Sequence, residues 1–204
     1  MAGRPQLVLF DLNDVLCRYD RTAFAAALAE STGCSPEAVR RSVWSSGLEA
    51  RSDNGELGPD AYLQALGELL GRPVPRSDWL DARRRAMTAS ADVLVLVERL
   101  RQRCPVALLT NNSPLIAEHM DLLSPEIARQ FEGSLFASGS LGAAKPRAEA
   151  FLRCVERLGM RPADVLYVDD LADNAEAARN AGLQACQFLD APQLAVELAR
   201  HGLL

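Results

Sequence analysis

Lysine and histidine are almost missing from this 204-residue chain: Lys145 is its only lysine, and His119 and His201 are its only histidines. A serine–histidine–acid hydrolase needs an imidazole held against its nucleophile. His201 lies near the chain end and His119 falls mid-helix among Ala117, Met120 and Leu122, so neither suggests that chemistry. Paired cysteines are missing too. Cys17, Cys34, Cys104, Cys154 and Cys186 are scattered without a Cys-x-x-Cys spacing, which excludes zinc-ribbon and thioredoxin-like readings and leaves reduced, mostly buried thiols. No apolar run approaches the ~20 residues of a membrane helix, and the opening Met-Ala-Gly-Arg-Pro lacks a leader's apolar core. A cytoplasmic protein with no membrane partner is the expectation. Positive charge is not in excess either. Lys and Arg number 22 against 27 Asp and Glu, a formal net charge of −5, which gives no reason to expect nucleic acid as a partner.

What is present is an alternation. Residues 6–10 form a continuous apolar run of the kind found in buried parallel strands, stopped by the turn-forming Asp11-Leu12-Asn13-Asp14. Residues 106–109 and 165–168 repeat the pattern and end in Thr110-Asn111-Asn112-Ser113 and Asp169-Asp170, while 134–137 and 184–188 are the fourth and fifth strands. Helical spacing over 91–101, 147–158 and 173–181 separates them, the last two stretches ending at Gly159 and Gly182. Such an order specifies a doubly wound, Rossmann-like parallel α/β sheet that binds ligands at the carboxyl ends of its strands. Residues 17–85 interrupt it. Helices are expected at 21–31, 36–45, 59–70 and 77–85, with no strand signal among them. The expected organisation is an α/β core of residues 1–16 and 86–204, with a small all-helical cap of residues 17–85 inserted after the first strand.

Four polar clusters fall on strand ends or on the loops before helices. They are Asp11-Leu12-Asn13-Asp14, Thr110-Asn111-Asn112-Ser113, the run from Ser138-Gly139-Ser140 to Lys145-Pro146, and Asp169-Asp170-Leu171-Ala172-Asp173-Asn174. In this order they resemble the haloacid dehalogenase-like superfamily, mostly magnesium-dependent phosphatases and phosphotransferases, and the resemblance spans the chain. It implies Asp11 as nucleophile on phosphorus, so that an aspartyl phosphate divides one hard displacement into two. Two negative groups must then meet, which calls for a cation. The resemblance implies Mg²⁺ held by Asp11, by the backbone carbonyl of Asn13 and by Asp170, with Asp169 acting through water or as a supporting acid. It assigns Thr110 and Asn111 to hydrogen bonds on the phosphate oxygens, and Lys145 to the charge on Asp11 and the phosphate. The implied partner is a small phosphorylated metabolite, sugar phosphates included, and the chain would act as a monomer or homodimer.

One position departs from the family pattern. Phosphatases of the family carry a second aspartate two residues after the nucleophile, which protonates the leaving group and then deprotonates the attacking water. Here that residue is Asn13, and an amide exchanges no proton near neutral pH, so help worth ~10²–10⁴-fold is expected to be missing. Asp14 stands where the family usually has glycine, and its side chain is expected to point elsewhere. Three functions stay open: a slowed phosphatase or phosphotransferase, a metal-free 2-haloacid dehalogenase, and a catalytically impaired phosphate-binding or regulatory protein. The dehalogenase would keep Asp11 and Lys145 and use Arg40 or Arg41 for the halide. Asp169-Asp170 argue against it, because adjacent carboxylates repel unless a cation joins them. Substrate contacts would come from Trp44, Glu49, Arg51 and Tyr62, although Trp44 and Tyr62 fit helix packing as well. Arg83-Arg84-Arg85 reads as a solvated helix face. Asp173 and Asn174 read as caps of the next helix, with Asn174 also placed to orient a metal-bound water.

Overall fold

The computed structural model describes residues 3–204. Met1 and Ala2, part of the segment read above as carrying no leader, lie outside the described residues. Along the chain, β1 (Leu7–Phe10) is followed by β2 (Cys17–Tyr19) and by five helices, α1 (Arg21–Thr32), α2 (Pro36–Arg40), α3 (Leu48–Asp53), α4 (Pro59–Leu70) and α5 (Arg76–Arg85). β3 (Met87–Ala89) pairs back onto β2 in antiparallel fashion, and α6 (Ala91–Arg101) leads to β4 (Val106–Thr110). Three short helices, α7 (Pro114–Glu118), α8 (Met120–Leu123) and α9 (Pro125–Gln130), precede β5 (Leu135–Ala137). α10 (Ser138–Leu141) and α11 (Ala148–Arg157) lead to β6 (Val165–Asp169), α12 (Ala172–Asn180) to β7 (Gln184–Gln187), and α13 (Ala191–Arg200) comes last. The main sheet runs β5-β4-β1-β6-β7 with every neighbouring pair parallel. β4 and β5 therefore grow out on one side of β1 and β6 and β7 on the other, and the carboxyl ends of β1, β4 and β6 border the crevice at that reversal.

Both faces of the sheet are covered, which is why its strands read as unbroken apolar runs. Val8 and Phe10 pack with Leu108, Leu166 and Val168 on one face, while Leu7 and Leu9 pack with Leu109, Val165 and Tyr167 on the other. Register then places the chemistry. Phe10 pairs with Val168, so the next residues, Asp11 and Asp169, leave neighbouring strands side by side, in step with Leu9 and Tyr167.

The helical segment differs from expectation in three places. β2 falls inside residues 17–85, where no strand was expected; three residues are too few to show a period. Residues 41–45 form a π-helical turn rather than continuing α2. α3 carried no clear signal because it is a six-residue helix between Gly47 and Gly55, both at a φ of +78°. A Cβ at Gly55 would lie 2.7 Å from the Gly139 carbonyl, and one at Gly139 would lie 2.6 Å from the Ser52 carbonyl. Glycine on each side thus lets α3 seat backbone to backbone on α10, beside the Lys145 loop. Within the helices, Phe24 stands edge-on to Trp44 and Trp79, and Tyr62 to Trp79, so Trp44 and Tyr62 fill this segment's own core. His119 lies at a helix break between α7 and α8, not mid-helix, with a φ of −128°. No helix among the described residues is long and apolar enough to cross a membrane.

Candidate active site

Three carboxylates meet where β1 and β6 end. Asp11, Asp169 and Asp170 each place an oxygen within 4.8 Å of the others. Lys145 runs into this cluster through the core. Its Nζ donates to Asp169 Oδ2 at 2.9 Å, to the Tyr167 hydroxyl oxygen at 2.6 Å and to the Leu109 carbonyl at 3.2 Å, and forms an ion pair with Asp11 Oδ1 at 2.7 Å. Asp169, fully buried, also accepts from the Leu171 N–H at 2.9 Å, from Asn174 Nδ2 at 3.0 and 3.1 Å, and from the Tyr167 hydroxyl. Asn174 therefore serves Asp169 instead of capping α12, whose N-cap position is Leu171.

Burial and charge compete at each of these groups. Burial pushes the Asp11 carboxyl up to about 6, against Lys145 and helped by Asp169. Burial pushes Asp169 in the same direction, but Lys145, Tyr167 and the Leu171 N–H outweigh it and hold that acid below its usual range. Burial disfavours the Lys145 ammonium, and Asp11 and Asp169 together more than compensate, so the amine stays protonated. Asp170 is raised by burial and by the charges of Asp169 and Asp14. Three carboxylates against one ammonium leave a formal charge of −2 in one crowded spot. An all-oxygen donor set with that charge fits a hard divalent cation such as Mg²⁺. Asp170 is half-buried and its carboxylate accepts no hydrogen bond from any other described residue, whereas both oxygens of Asp169 are taken by neighbours. That difference suits Asp170 to direct contact with a metal and Asp169 to support.

The side of the site expected to meet phosphate is arranged by β4. Thr110 is buried, and its hydroxyl oxygen accepts from Asn112 Nδ2 at 2.7 Å, which leaves the hydroxyl proton to donate. Asn111 behaves differently from the expectation. Its side chain accepts from the Lys145 N–H at 2.9 Å and donates to the Lys145 carbonyl at 2.8 Å, so it clamps the lysine loop and has its backbone N–H to offer a phosphate. Asn13 is close by, with Oδ1 accepting from Arg83 Nη2 at 3.2 Å. Asp14 takes a left-handed φ of +58°, which suits the glycine-like position, yet it lines the cavity and acts on Asp170, so it faces the site more than expected.

A cavity of about 470 Å³ opens over these groups, and its far wall comes from the helical segment: Tyr19, Arg21, Glu49, Asp53 and Arg83. Of the four residues expected to meet substrate, Glu49 alone lines it. Arg51 pairs with Glu56 outside, and Trp44 and Tyr62 are packing. Arg40 pairs with Glu37 on the surface and Arg41 is exposed, so neither is placed to hold a halide. The triple arginine is the largest correction. Arg84 and Arg85 are solvated and pair with Asp81 and Glu30, but Arg83 is 1% exposed. Its guanidinium lies 3.5 Å over the Tyr19 ring and reaches Asn112 Oδ1 at 3.3 Å as well as Asn13. The signal was the spacing: Arg83 stands one helical turn after the buried Trp79, on the face that carries Ala82. Tyr167 was missed for a related reason, a polar tip inside an apolar strand two residues before Asp169 and so on the same face. Asp53, on the helix without a signal, is pushed up to about 7 by burial and by Glu49, against Arg83 and Arg21.

The chain belongs to the haloacid dehalogenase-like hydrolases, whose family model matches residues 5–182. Phosphatase MT3486 of Mycobacterium tuberculosis is 30% identical over 191 residues, 87% of this chain and 84% of that protein. D-ribitol-5-phosphate phosphatase of Bacteroides thetaiotaomicron is 23% identical over 190 residues, covering 88% and 90%. Among solved structures, a HAD-family enzyme of Bacteroides thetaiotaomicron in complex with magnesium and inorganic phosphate superposes with a TM-score of 0.77 at 21% identity, over 93% of this chain and 98% of that one. The L-2-haloacid dehalogenase of Xanthobacter autotrophicus gives 0.64 at 21% identity, over 96% and 83%. At such identities these structures establish the shared fold.

Proposed function

We propose that this chain is a Mg²⁺-dependent phosphatase of a small phosphorylated metabolite, working through an aspartyl phosphate on Asp11, with residues 17–85 as a cap over the site. The observation that carries the reading is the cluster of Asp11, Asp169 and Asp170 around the buried Lys145. That cluster needs a cation, and a dehalogenase has no use for one. Bound Mg²⁺ would supply charge compensation between carboxylate and phosphate and polarise the phosphoryl group. Lys145 fixes the Asp11 carboxylate from Oδ1 and offsets the charge that gathers as a phosphate approaches. Thr110 and the Asn111 N–H hold the phosphoryl oxygens that do not react. Asp11 attacks phosphorus, the ester oxygen departs with its electron pair, and water then releases phosphate and regenerates Asp11. Asn13 moves no proton in either step, so the second step is slow. The polyol phosphate named for the ribitol enzyme supports a sugar or polyol phosphate as substrate, and so does a far wall of acids and arginines suited to hydroxyls. Five free cysteines suit a reducing cytoplasm.

Release of p-nitrophenol from p-nitrophenyl phosphate tests this directly. Turnover should need Mg²⁺, vanish with EDTA, and fall by roughly 10⁴-fold or more in Asp11→Asn. Metal-independent chloride release from 2-chloropropionate would put the dehalogenase in its place. No turnover of either compound would leave a binding protein.

A further inference from the structure

We propose that Arg83 stabilises the leaving group: carried in from the end of α5 and hydrogen-bonded to Asn13, its guanidinium takes up the charge that develops on the ester oxygen as the P–O bond breaks. The inference rests on the phosphatase reading and adds to it a residue that no family motif of this chain contains.

Three observations converge on Arg83. First, it is a buried cation whose partners are neutral. Nη2 donates to the amide oxygens of Asn13 and Asn112, at 3.2 and 3.3 Å, and no carboxylate forms an ion pair with it among the described residues. Second, its Nε is buried with no partner at all. A guanidinium stripped of water, short of one hydrogen bond and in no direct ion pair, with Glu49 and Asp53 acting on it only from a distance, favours an anion or a developing one. Third, it lines the same cavity as Asp11, and its plane is held over the Tyr19 ring. Such a group is preorganised, so no reorganisation is needed when charge appears.

Its position along the reaction axis follows from its partners. Lys145 touches Asp11 from the core, on the side where the nucleophile sits. Arg83 arrives from the helical segment and is attached to residue 13, the position two residues after the nucleophile whose family role is at the leaving oxygen. The identity of residue 13 now has a physical reason. A carboxylate there would pair with Arg83 and cancel its charge, whereas the Asn13 amide orients the guanidinium and leaves that charge free. The site thus exchanges a proton donor for a fixed cation. In the transfer, the Asp11 oxygen bonds to phosphorus and the ester bond breaks, and its electron pair stays on the leaving oxygen. Arg83 holds that oxygen by hydrogen bonding and gives up no proton, since a guanidinium stays charged at any working pH. The proton that completes the alcohol comes from water.

A cation at the leaving oxygen matters most when the leaving group is poor. Arg83→Gln and Arg83→Lys would be compared with wild type in Mg²⁺, reading kcat/KM for p-nitrophenyl, phenyl and ethyl phosphate. The expected result for Arg83→Gln is a loss of ~10²-fold or more on ethyl phosphate and under ~5-fold on p-nitrophenyl phosphate. Arg83→Lys, which keeps the charge, should fall between wild type and Arg83→Gln on ethyl phosphate. Should Arg83→Gln fail to fold by circular dichroism, Tyr19→Leu, which removes the ring under the guanidinium, carries the same test. Equal losses on all three esters would overturn the proposal, as would a loss confined to KM, which would make Arg83 a binding group only. A wild type with no Asp11-dependent turnover of any ester would sink the phosphatase reading itself, a different outcome from an active wild type whose variants lose evenly.

Discussion

The two walls of the cavity are built on different terms. On the sheet side, Lys145, Asp169 and Tyr167 satisfy one another through a closed set of hydrogen bonds reinforced by Asn174 and the Leu171 N–H. On the helical side, Asp53 Oδ1 and Arg83 Nε are buried with no partner. Half-satisfied polar groups are costly, and these two belong to residues that line the cavity, where a ligand can reach them. The hydrogen bonds around Asp169 on the sheet wall are complete on folding, whereas the helical wall keeps two polar atoms without partners. Stability should therefore depend on the first wall and selectivity on the second.

The contrast can be broken most forcefully from the sheet side. Lys145→Met leaves Asp11 and Asp169 facing each other with no buried counter-charge, and should destabilise the metal-free protein by roughly 3–5 kcal/mol. Thermal unfolding in EDTA would show it, and an unchanged melting temperature would mean that the network contributes little. At the seam between the walls, Asn13→Asp restores a carboxylate that can activate water, although it also pairs with Arg83, a loss that an ester with a good leaving group hardly registers. Steady-state hydrolysis of p-nitrophenyl phosphate, whose good leaving group exposes the second step, should rise about tenfold. No gain would mean that phosphoenzyme hydrolysis does not limit turnover. The smallest effect belongs to the helical wall. Asp53 has its carboxyl raised in the folded state, to about 7 from an ordinary 3.8, so its contribution to stability is full below pH 3.8 and is lost as pH climbs through about 7. Asp53→Asn removes that loss. Its advantage over wild type should be nil near pH 4 and on the order of 1 kcal/mol at pH 8, allowing for partial exposure, or about 2–4 °C in melting temperature. A gap that does not widen with pH would show Asp53 to be solvated.

The sheet wall was legible in the sequence and the helical wall was not. Apolar runs ending in Asp11, Thr110 and Asp169 declare themselves because a buried parallel strand has to stop where water begins. Lys145 stood out because nothing else in the chain is a lysine. Arg83 is hidden by its neighbours: it shares its residue type with Arg84 and Arg85, and only the turn-by-turn spacing from Trp79 distinguishes the inward one. α3 is too short for a period and is defined by tertiary contact, through the Gly55–Gly139 approach. Asn111 shows a third limit. Its place in the pattern was readable, but the direction of its amide depended on a loop 34 residues away.

The burial of Lys145 has one more consequence, for chemistry done on the protein from outside. Its side chain is 1% exposed, and every other basic side chain apart from the two histidines is arginine. The surface therefore offers no lysine amine to acylating reagents, to amine-directed cross-linkers or to enzymes that tag lysine. Any such mark found on a side-chain amine would have to sit in the active site, and its appearance would report that the site had opened.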